Sequence, residues 1–269
     1  MSRSYRKPYR LKKKKPIYKK PFLWLVVLFL LVTSGIVYLF FFFSFFQIKN
    51  IQISGNKEVA GENLTNIINN NINKKILFFP TKSIFLAGLS DAKKEILSDF
   101  PAIESVRAKK KFPNGLNFEI TERIGMAVWC KEEKCFLIDK NGIIFQEDSN
   151  NNALAKIKVS IAPEAKFGQE VLKKEELDKI LKINSKLKEL KIFIQEIFIF
   201  SEERINVKTS GNWEIYFASE EDIDWQLTKL KMVLEKEIPP EKRGNLEYIE
   251  LRFGNLASYK FRISDESPL

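Results

Sequence analysis

Apolar and polar positions divide the 269-residue chain into distinct regimes. As far as Pro21 the sequence is polar and basic, and from Phe22 to Phe46 it runs for 25 residues without a charge. At about 1.5 Å per residue that stretch spans about 37 Å as a helix, more than the hydrocarbon core of about 30 Å. Beyond it the spacing changes to short elements. "IKNIQIS" (48–54) alternates with the period of a half-buried strand and runs into the turn pair Gly55 and Asn56. "ENLTNIINNNI" (62–72) sets Leu64, Ile67, Ile68 and Ile72 at helical spacing. A loop is expected around Pro80, then a helix over 90–100 capped by Ser90 and stopped by Pro101. Two strands, "AIESVRAKKKF" and "LNFEITER", flank the hairpin turn "PNG". This order, strand-helix-helix-strand-strand, makes one compact module with helices on one face of a small sheet.

From Ile124 onward short strands dominate: "GMAVWC", "CFLID" and "NGIIFQ", then a polar loop over 147–153. The stretch 174–190 reads as an amphipathic helix with Leu177, Ile180, Leu181, Leu187 and Leu190 inward. "KIFIQEIFIF", "RINVKT" and "NWEIYF" alternate as strands. A second helix over 219–237 opens on a Ser219/Asp222 capping box and carries Ile223, Leu227, Leu230 and Leu234. "LEYIELRF" and "ASYKFRI" close the fold as strands. The class is therefore α+β: a basic tail (1–21), one span (22–46), a first module (47–123), a β-rich domain (124–265) and a frayed end (266–269).

Charge assigns a direction to this layout. Ten basic residues and no acidic one precede Phe22, whereas the rest of the chain holds 35 basic and 34 acidic residues. The excess is thus local to the tail. This argues against a specific nucleic-acid-binding domain, which needs its positive charge on a folded face. Basic residues flanking a first span favour the cytoplasmic side, so the larger part lies outside. "VTSG" (32–35) offers small residues for cleavage, yet "IVYLFFFFSFF" continues the apolar run past the usual length of a signal core. The span reads as an anchor that stays.

Candidate chemistry is sparse. The chain has no histidine, which removes the usual general base and zinc ligand. Cys130 and Cys135 flank the turn "KEEK"; they suit either a disulfide across a hairpin or two packed thiols. Four Ser-x-x-Lys spacings occur, at Ser4, Ser54, Ser90 and Ser185, without the partner motifs of the enzymes that use them. There is no phosphate-binding loop. No cofactor, metal or small-molecule substrate is implied, and the reading is a binding protein rather than an enzyme.

Several short motifs in fixed order resemble the FtsQ/DivIB family of bacterial cell-division proteins: "QISGNK", "FPAIESVRAKKKFPNGLNFEITERIGMAVW", "FLIDKNGIIF" and "YIELRF". The residues that match the family pattern are Gly55 and Asn56 after the first strand, Pro101 and Ile103, Phe112 and Pro113, and Glu122 with Arg123. Further on they are Ala127 and Trp129, then Asp139, Gly142 and Phe145, and near the end Glu250, Leu251, Arg252 and Phe253. Gly125 stands where the family has proline, and Glu250 where it has aspartate. The resemblance implies a POTRA domain followed by a β-rich domain. It also implies a divisome scaffold at the septum that joins FtsB/DivIC-like and FtsL-like partners and helps control septal wall synthesis. The last strands would receive a partner strand, through an edge comprising Arg252, Phe253, Tyr259, Phe261 and Ile263. The plainer alternative is that Tyr259, Phe261 and Ile263 are core and Arg252 a solvated charge. Two other functions stay open: another POTRA-bearing membrane protein that handles polypeptides, and a membrane-tethered cell-wall enzyme.

Overall fold

A computed structural model describes residues 21–76, 78–149, 154–159, 164–201 and 204–262. Helix α1 (Pro21–Phe41) has no buried residue, as befits a helix whose solvent is lipid. It is shorter than the apolar run that predicts it, which continues as a 3₁₀ turn over Ser44–Phe46. The stop has a cause. The final carbonyls of a helix lack intrahelical donors. Here Ser83 Oγ donates to the Phe40 carbonyl at 2.9 Å, and Gln47 Nε2 and Thr81 Oγ1 both donate to that of Phe41, the former at 2.9 Å.

The chain continues through β1 (Asn50–Ser54), α2 (Gly61–Ile72), β2 (Lys74–Ile76), β3 (Phe79–Thr81), α3 (Leu89–Asp99), β4 (Ile103–Lys111) and β5 (Gly115–Glu122). Strands β1, β5 and β4 form a sheet in that order. Leu64, Ile67, Ile68 and Ile72 of α2 are buried, as their spacing predicts. Two expectations need correction. The loop around Pro80 is a small antiparallel hairpin, β2–β3, in which Ile76 pairs with Phe79. Ser90 does not cap α3; it lies inside the first turn, where the Ala92 N–H already reaches back to the Gly88 carbonyl.

The remaining strands are β6 (Ala127–Lys131), β7 (Lys134–Ile138), β8 (Ile144–Glu147), β9 (Lys156–Val159), β10 (Ile194–Ser201), β11 (Arg204–Thr209), β12 (Glu214–Ala218), β13 (Leu246–Glu250) and β14 (Ser258–Phe261). They form one nine-stranded sheet in the order β14-β13-β12-β11-β10-β9-β6-β7-β8. The pair β9 and β10 is parallel, with α4 (Lys174–Glu189) between them in sequence; β12 and β13 are parallel, with α5 (Ile223–Lys236) between them. Parallel neighbours need such crossovers. Leu177, Ile180, Ile183 and Leu187 of α4 join Ile223, Leu227, Leu230 and Leu234 of α5 and the inward strand residues in one core. Leu181 and Leu190, expected inward, pack only partly against it. Helix α5 begins later than its capping box suggests: Asp222 is the cap, accepting from the Asp224 N–H at 2.9 Å. Gln226 explains the delay, since its amide clasps both the N–H and the carbonyl of Ala218 at 2.8 Å and holds the end of β12 extended.

By contact density the chain divides into two compact units. Among the described residues, the first takes in the chain up to Ile53, Glu62–Ala92 and Ala108–Phe118; the second takes in Ser54–Gly61, Lys93–Arg107 and the chain from Glu119 onward.

Candidate functional site

The ends of the nine-stranded sheet differ. At β8 the outer side is occupied at the start of the strand: the Ile144 N–H donates to the Gln169 carbonyl at 3.0 Å, the Gly168 N–H donates to the Ile144 carbonyl at 2.7 Å, and just before the strand the Val171 N–H donates to the Gly142 carbonyl at 2.9 Å. At β14, no strand among the described residues pairs with the outer side. A sheet edge without cover is a template for another strand.

Register places the predicted edge residues. The inward row runs Ile157, Ile197, Val207, Ile215, Ile249, Tyr259 across β9, β10, β11, β12, β13 and β14. Tyr259 therefore ends a row of core residues, and both it and Phe261 pack half-buried against that core. Ser258 and Lys260 face the other way and are exposed. Tyr259 keeps a polar handle, because a hydrogen bond to Glu237 raises its phenol pKa. Ile263 lies outside the described residues. Arg252 is neither free nor merely solvated: its guanidinium makes a two-pronged ion pair with Glu250, at 2.8 Å from Nε and 2.6 Å from NH2. Burial alone would raise the Glu250 pKa, but the hydrogen bonds from Arg252 outweigh it and hold the carboxyl below its ordinary value. Phe253, by contrast, is 68% exposed, as is Leu256 at 82%.

A surface feature invisible in the single sequence adjoins this edge. On the sheet face opposite the helices, Lys158 sits over the Phe198 ring and Phe198 stacks on Phe200. Arg204 lies between Phe200 and Tyr216, at 5.3 and 5.0 Å from their ring centres. Tyr216 stacks on Tyr248 at 5.3 Å, and Arg252 lies over Tyr216 and Phe253. Burial, and then the Glu214 carboxylate, push the Tyr216 phenol up to about 12. The result is a ladder of aromatic rings and cationic groups running toward the edge, each cation–π contact worth about 0.5–2 kcal/mol. Each strand showed the alternation, but only register brings these rings together.

Behind the edge, Lys229 of α5 is 1% exposed and donates to the carbonyls of Leu251 (2.6 Å) and Gly254 (2.9 Å). It straps down the loop that leads into β14.

The other predicted motif residues form a clamp within the second unit. Gly55 takes φ +88°, and a Cβ there would meet the Ile120 carbonyl oxygen at 2.1 Å, so glycine is required. Asn56 donates to the Val59 carbonyl at 3.0 Å. Glu122 accepts from the N–H groups of Lys57 (2.8 Å), Glu58 (3.1 Å) and Val59 (3.0 Å). Arg123 bonds the Pro101 carbonyl at 3.0 Å and pairs with Asp139, whose other oxygen accepts from the Asn141 and Ile143 N–H groups. Burial would raise the Glu122 pKa, but the three N–H donors prevail and hold it below 4.5. A carboxylate with a depressed folded pKa contributes stability above its unfolded value and loses it as pH falls through the folded one. The wild-type protein is therefore expected to lose stability on acidification below the ordinary glutamate range, with a shallower loss in Glu122→Gln. Equal slopes for the two in pH-dependent urea titrations would refute the clamp's electrostatic role.

Cys130 and Cys135 are cross-strand partners on β6 and β7 and are joined in a disulfide. Among the described residues no cluster of three or more His, Cys, Asp or Glu side chains is arranged to hold a metal.

Known proteins resemble this chain in both parts beyond the span. The family described as "POTRA domain, FtsQ-type" matches residues 46–123, and that described as "Cell division protein FtsQ/DivIB, C-terminal" matches residues 127–252. A cell division protein DivIB of Clostridium tetani is 28% identical over 231 residues, covering 83% of both chains. One of Clostridium acetobutylicum is 32% identical over 115 residues, 43% of each chain. One of Clostridium botulinum (strain Hall) is 30% identical over 173 residues, 62% of this chain and 61% of its own.

Proposed function

The chain belongs to the FtsQ/DivIB family of cell-division proteins, and on that premise we propose that it is a non-enzymatic scaffold of the divisome that accepts a partner's strand at β14. One observation supports the strand site above others: the β8 edge carries its own main-chain cover, whereas β14 is open among the described residues. Main-chain hydrogen bonds would supply affinity, and the side chains beside the edge would supply specificity. Phe253 and Leu256 offer exposed apolar surface, and the ladder ending at Arg252 offers aromatic and cationic contacts. Because Arg252 is already committed to Glu250, an acidic partner residue would share that cation rather than capture it.

The apolar helix α1 anchors the protein in the membrane. The basic tail stays in the cytoplasm in this reading, and both modules face outward at the septum. The partners are FtsB/DivIC-like and FtsL-like division proteins, and through them the scaffold contributes to control of septal wall synthesis. A photo-crosslinking residue at Lys260, in the full-length protein in its own membranes, should capture small single-pass division proteins. The same probe at Lys188, exposed on α4, should not. Capture from Lys188 alone would move the site off this edge.

A further inference from the structure

We propose that the aromatic surface around the β2–β3 hairpin is a lipid seat, which rests the first unit on the membrane leaflet at the C-terminal end of the span. Helix α1 has 21 residues, and at about 1.5 Å each it crosses about 31 Å, matching the hydrocarbon core. Phe42, directly after the helix, then lies at the boundary between hydrocarbon and headgroups. The Phe79 ring meets the Phe42 ring edge-on at 6.2 Å between centres, so it sits at nearly the same depth. Phe85 contacts both Phe40 and Phe46 at 5.2 Å, and Phe112 lies 5.7 Å from Phe85.

This placement is not left to a flexible linker. The side chains of Ser83, Thr81 and Gln47 hold the last carbonyls of α1, and the Ile84 N–H donates to the Phe46 carbonyl at 3.0 Å. The span and the hairpin therefore move together. Against that fixed depth the exposures fall into place: Phe78 is 90% exposed, Phe79 64% and Phe112 58%. A contiguous patch of phenylalanine is costly in water and at home in an interface, where aromatic rings concentrate.

Charge points to the same occupant. Over 47–53, 62–92 and 108–118 the sequence has seven lysines against Glu62 and Asp91. Lys75 and Lys82 flank the hairpin and are exposed, placed to meet anionic headgroups while the rings enter below them. Exposed cations beside exposed phenylalanines suit a lipid interface better than an apolar protein groove.

The test uses the full-length protein reconstituted in vesicles of zwitterionic lipid with a minor anionic fraction. A spin label on Phe78→Cys reports collisions with oxygen, which concentrates in lipid, and with a water-soluble nickel chelate. The native cysteines are already bonded to each other, and residue 78 is too exposed for the change to disturb packing. Oxygen collisions several-fold above those of the chelate are expected. A label that the chelate reaches freely overturns the proposal. So does a label open to water in vesicles yet shielded in native membranes, since that assigns the surface to a protein partner instead.

Discussion

Replacing Arg123 with methionine is expected to destabilise the second unit by about 3–5 kcal/mol, the range seen when one partner of a buried ion pair is removed. The Arg123 side chain is 13% exposed and that of Asp139 only 3%, so water cannot take over the lost contact. Asp139 keeps its bonds from the Asn141 and Ile143 N–H groups through one oxygen. The other oxygen is left charged, buried and without its counterion. The Pro101 carbonyl also loses its donor. The double variant Arg123→Met/Asp139→Asn removes the stranded charge and should recover part of the loss. Denaturant unfolding followed by tryptophan fluorescence reads both. A double variant as unstable as the sum of the singles would mean that the pair is not coupled, and the clamp argument would fail.

The second large effect concerns the open edge. Arg262 donates its N–H inward, to the Asn245 carbonyl at 2.8 Å. Along an antiparallel strand the main-chain groups of successive residues turn to opposite sides. Those of Phe261 and Tyr259 therefore face outward, where a partner strand would arrive at about 4.8 Å. Proline at an outward-facing edge position leaves the ladder to β13 intact. Phe261→Pro is thus expected to weaken partner binding by at least about tenfold relative to Phe261→Ala, or about 1.4 kcal/mol. Both variants lose the ring; the proline variant alone loses the N–H and fills the approach of the partner. Binding of detergent-solubilised protein to its co-purified partner measures the difference. Equal affinities for the two variants would show that the partner does not add a strand here.

What could be read in the sequence divides along physical lines. The span, α2 and the strands on either side of "PNG" were legible because their apolar spacing is local and strong. The hairpin β2–β3 was not, since Pro80 reads as a loop and its strands are three residues each. Strand β9 was missed for a related reason: "KIKV" is short, and it is a strand only because β6 and β10 flank it. The helix starts differ from the expectation at Ser90 and Ser219 because a serine of capping type caps only when its neighbours leave it the position. The Gly88 carbonyl accepts the first helical bond in one case, and Gln226 holds the strand in the other. The edge position of the last strand followed from its place at the end of the fold. The commitment of Arg252 to Glu250 did not, because two residues apart on a strand would share a face only if the chain stayed regular, and β13 ends at Glu250. The ladder of rings required register, which no local pattern encodes.

Lys229 carries a last consequence, for how such a surface can diverge. It grips the loop before β14 through the carbonyls of Leu251 and Gly254, atoms that every amino acid possesses. The grip is therefore blind to the identity of Arg252 and Phe253 between them. An exposed side chain on that loop, such as Phe253, can change while the path of the backbone stays put. A binding edge built this way can follow a drifting partner by exchanging residues one at a time, without first passing through an unfolded intermediate.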